Sequence, residues 1–157
     1  MTHYAVLRHQ FDIHRNPDRL GPISDDKFCL TMNPGGEPPS WLEGHVLWLI
    51  SWEGFMKTHH VVNGWFAVSH IERRHGVVAH YCACGNDGEL FPRGLGPLDM
   101  YAWFHRFADT HRAFRGGEPT DLADDLRELT ALARTVGYRI PDVLAPGAVV
   151  QNPAVRS

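Results

Sequence analysis

Hydrophobic spacing changes once along this chain, and that change limits the folds open to it. From residue 1 to about 92 the apolar residues come in short extended runs broken by Gly, Pro, Asn and Asp, whereas residues 97 to 137 carry two stretches of helical period. Strands come first and helices after, which predicts an α+β fold. The predicted strands are HYAVLRH from His3, HVLWLIS from His45, VVNGWFAVSHI from Val61, GVVAHYCA from Gly76 and a short ELF from Glu89, with KFCLTMN from Lys27 as a further segment. Five to six strands suit a small curved sheet or a small β-barrel.

The helical part has an aromatic stripe. Met100, Phe104, Phe107, His111 and Phe114 recur at three- and four-residue steps between Pro97 and Gly116-Gly117, which predicts an amphipathic helix. A second helix is predicted from Thr120 or Asp121, with Leu122, Leu126, Leu129, Ala133 and Val136 on one face. Gly137 stands just past its end, and Asp121, Asp124 and Asp125 would lie in its first turn, where the helix dipole favours negative charge. Residues 1–143 are expected to form a single domain, and residues 144–157, without periodicity, a loosely held tail.

A chain of 157 residues, 43% of them hydrophobic, fits one compact domain and so one principal site. Its formal net charge of −3 supplies no overall positive field for a long stretch of nucleic-acid backbone, so any such contact must be local. Only Lys27 and Lys57 are lysines; the other basic residues are arginines, which suit planar bidentate contacts. The three cysteines, Cys29, Cys82 and Cys84, are an odd number and speak against a disulfide framework. The N-terminus lacks a signal-like apolar core, and no apolar run approaches the roughly 20 residues of a membrane span. A cytoplasmic protein without a membrane partner is the expectation.

Two kinds of chemistry are open to these residues. His80, Cys82 and Cys84 occupy alternate positions, which in a strand share a face and could hold zinc. The spacing is Cys-x-Cys, not the Cys-x2-Cys of a zinc knuckle, so small buried thiols beside a polar histidine are the competing reading. His59-His60 reads as a solvated turn. No Gly-x-Ser-x-Gly elbow, phosphate-binding loop or GxGxxG occurs. Enzyme chemistry would have to rest on unpatterned residues such as Asp12, His14 and Glu53. The tryptophans are more specific. Trp48 and Trp103 read as core, whereas Trp52 stands where HVLWLIS gives way to a loop, between Ser51 and Glu53. An indole at the mouth of a barrel, flanked by hydrogen-bonding residues, is a surface on which a planar ligand stacks.

The stretch VLWLISWEGFMKTHHVVNGWFAVSHIERR runs from a hydrophobic strand ending in an aromatic, through a loop, to a glycine, an aromatic-apolar strand and Arg-Arg. That order resembles the PUA-like superfamily, in its YTH, EVE and ASCH branches and in the nucleotide-modification-associated domains of phages and bacterial defence islands. The opening YAVLRHQFDIHRNP, a strand and an arginine before a loop with Asp and Asn-Pro, is similar to the phage-type domains, and the resemblance covers roughly residues 4 to 81. It implies a PUA-like barrel and an aromatic pocket that holds a modified or flipped base. On that resemblance Trp52 is the stacking aromatic and Ser51 its polar neighbour, with Val62 completing the cage and Trp65 as a supporting wall. Asp12, His14, Asn16 and Asn33 would lie on facing loops, and Arg15, Arg73 and Arg74 would touch phosphate. The implied partner is nucleic acid, modified DNA before RNA, with a nuclease or modification enzyme acting nearby. No cofactor is implied. A small metal-dependent enzyme and a protein-interaction module of a defence system stand as alternatives.

Overall fold

A computed structural model describes residues 1–9, 27–32, 37–53, 59–74, 80–122 and 125–142. Among these are eight strands: β1 (His3–His9), β2 (Phe28–Thr31), β3 (Val46–Glu53), β4 (His59–Ala67), β5 (His70–Arg74), β6 (His80–Gly85), β7 (Gly88–Leu95) and β8 (Thr120–Asp121). The helices are α1 (Ala102–Thr110), α2 (Arg112–Arg115) and α3 (Leu126–Val136). The fold is α+β. The strands form a five-stranded sheet, β7-β4-β3-β1-β8, and a three-stranded sheet, β2-β6-β5, rather than one curved sheet of five or six strands, and no closed barrel forms among the described residues.

Three layers result, with the five-stranded sheet in the middle. On its helix side lie Ala5, Leu7, Val46, Trp48, Ile50, Val62, Trp65 and Phe91, packed against Trp103, Phe104, Phe107, Phe114, Leu129 and Ala133. On its other side Val6, Leu47, Leu49 and Phe66 meet Phe28, Leu30 and Ala83 of the smaller sheet. Because β3 is covered on both faces, it needs an almost continuous apolar run, and VLWLIS supplies it. β3 pairs parallel with β1, His3 opposite Val46 through to His9 opposite Trp52. The C-terminal ends of these two strands therefore emerge side by side.

Several boundaries depart from the sequence reading for identifiable reasons. The predicted strand Val61 to Ile71 is two strands in different sheets. It breaks at Val68-Ser69, where Val68 N–H donates to His45 and Ser69 N–H to Cys84, turning the chain from one sheet to the other. The short ELF is eight residues long and runs through Pro92 as β7. A proline is tolerated there because β7 is an edge strand, where a missing N–H breaks no ladder. The aromatic stripe is divided by His111 between α1 and α2, and Trp103 joins Phe104, Phe107 and Phe114 in the core while Met100 is exposed. Thr120 and Asp121 do not start the last helix but pair with Ala5 and Tyr4. Of the acidic residues expected in its first turn, Asp125 precedes the helix without a side-chain cap, Glu128 lies within it, and Asp124 is outside the described residues. Gly137 does close the helix, at φ 94°.

β4 carries a bulge. Leu49 is opposite Gly64 and Ile50 is opposite Val62, which leaves Asn63 as the extra residue. The insertion lets Val62 and Trp65, three residues apart, both face the helices. Asn63 is buried, and its Nδ2 donates to the buried Ser51 Oγ at 2.6 Å. Ser51→Ala removes that acceptor inside the sheet and is expected to cost about 1–2 kcal/mol in urea unfolding.

Candidate functional site

Two features converge at the end of the central sheet where β1 and β3 finish. The first is Trp52. By alternation it shares the helix-facing side with Trp48 and Ile50, but it is only partly buried against that core. Its position at the strand end explains the difference: packing from the helices covers Trp48 and Ile50 completely and thins out at Trp52.

The second is His60, the cross-strand partner of Trp52 on β4. Directly opposed residues of an antiparallel pair project to the same face with Cβ atoms about 5 Å apart. His60 is held on three counts. Its Nδ1 lies 2.9 Å from Asp99 Oδ1, its backbone N–H donates to Asp99 Oδ2 at 2.5 Å, and its ring lies 5.2 Å from that of Phe104. Asp99 sits in the short 3-10 turn Leu98–Met100 between β7 and α1, and its main-chain carbonyl accepts from His105 Nε2 at 2.5 Å. Partial burial works to raise the Asp99 pKa, but the hydrogen bonds from the His60 ring and backbone outweigh it and hold the carboxyl below its usual value. A carboxylate facing Nδ1 assigns the ring proton there, which makes Nε2 the lone-pair nitrogen of the neutral ring. The arrangement offers an aromatic face beside an oriented hydrogen-bonding imidazole.

The other predicted residues divide by place. Val62 and Trp65 are fully buried in the helix-side core. Trp65 Nε1 donates to the Arg139 carbonyl at 2.7 Å, and the Arg139 guanidinium lies 4.8 Å from its ring centre. Arg139 also pairs with Asp87 and Glu89, each at 3.2 Å, so it is anchored as part of the wall. Ser51 lies on the opposite face from Trp52 with its hydroxyl engaged by Asn63. Arg73 is exposed on β5, in the smaller sheet, and is thus not beside Trp52. Arg74 pairs with His80 through the backbone, and both side chains lie outside the described residues. So do Asp12, His14, Arg15, Asn16 and Asn33.

His60 and Asp99 were missed. His59-His60 is not a turn: both residues open β4, with His59 exposed and His60 half-buried. The signal available was a histidine two positions before Val62, where strand alternation places both on one face; its carboxylate partner is 39 residues away. A second cluster lies on the smaller sheet, where Cys29 and Cys84 are opposed on β2 and β6 and their sulfurs approach to 2.8 Å. Cys82 and Cys84 are fully buried, and none of the three cysteines is in a disulfide. Hydrogen bonds to Cys82 and Cys84, and then burial, push the Cys29 thiol pKa up.

No protein-family model matches the chain, and neither a curated protein nor a solved structure does so. Among the described residues, no helix is long and apolar enough to cross a membrane.

Proposed function

We propose that this protein binds nucleic acid and holds one modified or extruded base against Trp52, with His60 reading the edge of that base. The observation that carries the reading is the opposition of a partly exposed indole and a carboxylate-held histidine at one end of a rigid sheet. A base out of its stack costs a few kcal/mol, and one aromatic returns about 1–3 kcal/mol. Stacking alone leaves a deficit, so a second contact is required, and the Nε2 of His60 supplies a hydrogen-bonding group aimed from the same face. Asp99 fixes the orientation of that group. Val62 and Trp65 form the buried wall behind it.

The finer fold reading, a PUA-like domain, rests on the sequence resemblance. It carries with it the suggestion of modified DNA as ligand and of a phage or bacterial modification and restriction setting, beside a nuclease or modification enzyme. With a net charge of −3, phosphate contacts should be few, and binding should weaken only modestly with added salt.

Trp52→Ala should lower affinity for a base-modified oligonucleotide roughly five- to 150-fold, as loss of 1–3 kcal/mol of stacking requires. Its melting temperature should change little, since the side chain is only partly packed. Asp99→Asn should weaken binding through His60 without touching the stacking face. Unchanged affinity in Trp52→Ala alongside a large loss of stability would make the indole a core residue and remove the basis of the reading.

A further inference from the structure

We infer that the three-stranded sheet carries a binding site for a thiophilic divalent cation of the zinc class, formed by Cys29, Cys84, His70 and Glu72. These residues come from all three strands: Cys29 from β2, Cys84 from β6, and His70 and Glu72 from β5. The register brings them together, for Cys84 is opposite both Cys29 and His70, while Glu72 is opposite Cys82. One ligand atom each from His70, Glu72 and Cys84 lies within 4.8 Å of the other two, and Cys29 Sγ is 2.8 Å from Cys84 Sγ. Cys84 Sγ is 4.0 Å from Glu72 Oε2, and His70 Nε2 is 3.9 Å from Glu72 Oε1.

The hydrogen bonding around His70 prepares it as a ligand. Ser69 Oγ donates to the Cys84 carbonyl at 3.1 Å, so at its 3.0 Å contact with His70 Nδ1 it acts as acceptor and the ring proton sits on Nδ1. Nε2 is then the lone-pair nitrogen, and it is the atom turned toward Glu72. A metal-bound histidine that donates its other N–H to an oxygen is the usual supporting arrangement. The two sulfurs stand closer than unlinked thiols ordinarily do, a crowding that a shared cation relieves by holding them about 3.8 Å apart on tetrahedral bonds of about 2.3 Å. Two sulfurs, one imidazole and one carboxylate favour zinc or cobalt(II) over calcium or magnesium, which prefer oxygen alone. His70 and Glu72 are partly exposed and give the ion a way in, while the buried Cys84 shields it from below. Cys82, whose sulfur lies 3.8 Å from Thr31 Oγ1, borders the site without being needed in it.

Bound there, the ion would join β2, β6 and β5 across their strands, so metal and sheet stability are linked. The test uses the full chain purified under reducing conditions, with zinc content measured and cobalt(II) then titrated into the metal-stripped protein. One equivalent of zinc is expected, with a near-ultraviolet thiolate-to-cobalt charge-transfer band, intense visible bands of tetrahedral cobalt, and a rise in melting temperature of several degrees on adding zinc. His70→Gln, a half-exposed substitution that leaves the core intact, should weaken cobalt(II) binding tenfold or more, and Cys29→Ser should lower the charge-transfer intensity. Absence of stoichiometric uptake, a cobalt spectrum without the thiolate band, or a spectrum indifferent to both substitutions would overturn the site. So would a Cys29–Cys84 disulfide in the reduced preparation, seen as protection of both thiols from alkylation after the metal-free protein is unfolded in denaturant.

Discussion

Gly64→Ala should destabilise the protein by about 3 kcal/mol or more. Two costs combine at this position. Gly64 has φ 151°, a backbone conformation that side-chain-bearing residues rarely adopt. A Cβ built there would also lie 2.3 Å from the carbonyl oxygen of Glu89 and 3.0 Å from Leu90 Cα. Both obstacles are backbone of the neighbouring strand β7, which cannot rotate aside as a side chain would. The methyl group must therefore push β7 away from β4 at the bulge or force Gly64 into another conformation. Either outcome disturbs Trp65, whose fully buried indole depends on that bulge to face the helices. Equilibrium urea unfolding checks the prediction: the midpoint should fall sharply while the slope stays near that of the parent. A midpoint close to the parent's would mean that the two strands are not held together as tightly as described.

Acidification from about pH 6.5 to pH 4 should remove about 3 kcal/mol of stability through one residue, His3. Its side chain is buried, and Nδ1 accepts the Trp48 indole N–H at 3.2 Å. Burial first, then the positive N-terminus and, least, His45 lower its pKa from 6.5 to about 4, against an opposing contribution from Asp121. An unfolded histidine takes up its proton near pH 6.5, whereas the folded one resists until about pH 4. Between those values the unfolded state binds more protons, so stability is complete above the window and falls as pH drops through it. Protonation also removes the lone pair that receives the indole N–H. His3→Gln retains an acceptor without a titrating ring, and its stability should fall less over the same range. Unfolding free energies at matched pH for parent and variant measure the difference directly; parallel curves would assign the acid sensitivity to other groups.

The parts of this fold that local spacing determines were legible. Trp48 and Trp103 read as core because each sits inside an apolar period, and Gly137 read as a helix end because a left-handed stop favours glycine. What depends on pairing was not. Nothing in VVNGWFAVSHI announces that its last residues leave for a second sheet; that turn is made by hydrogen bonds to His45 and Cys84, far away in sequence. Pro92 argues against a strand unless the strand is known to be an edge. The same limit explains the sites. Trp52 could be singled out from its polar neighbours, but His60 gains its meaning only from the register that opposes it to Trp52 and from Asp99. Cys29 stands 55 residues from Cys84 and gave no sign of joining it, while Cys82 and Cys84 drew attention to themselves by alternation alone.

The most direct test of the proposed reading is tryptophan fluorescence of the full chain titrated at low salt with short DNA and RNA oligonucleotides, each with and without modified bases. Saturable quenching that depends on the modification, is stronger for DNA, and is lost in Trp52→Ala is the expected result. Equal responses to modified and unmodified strands, or quenching that persists in Trp52→Ala, would contradict it.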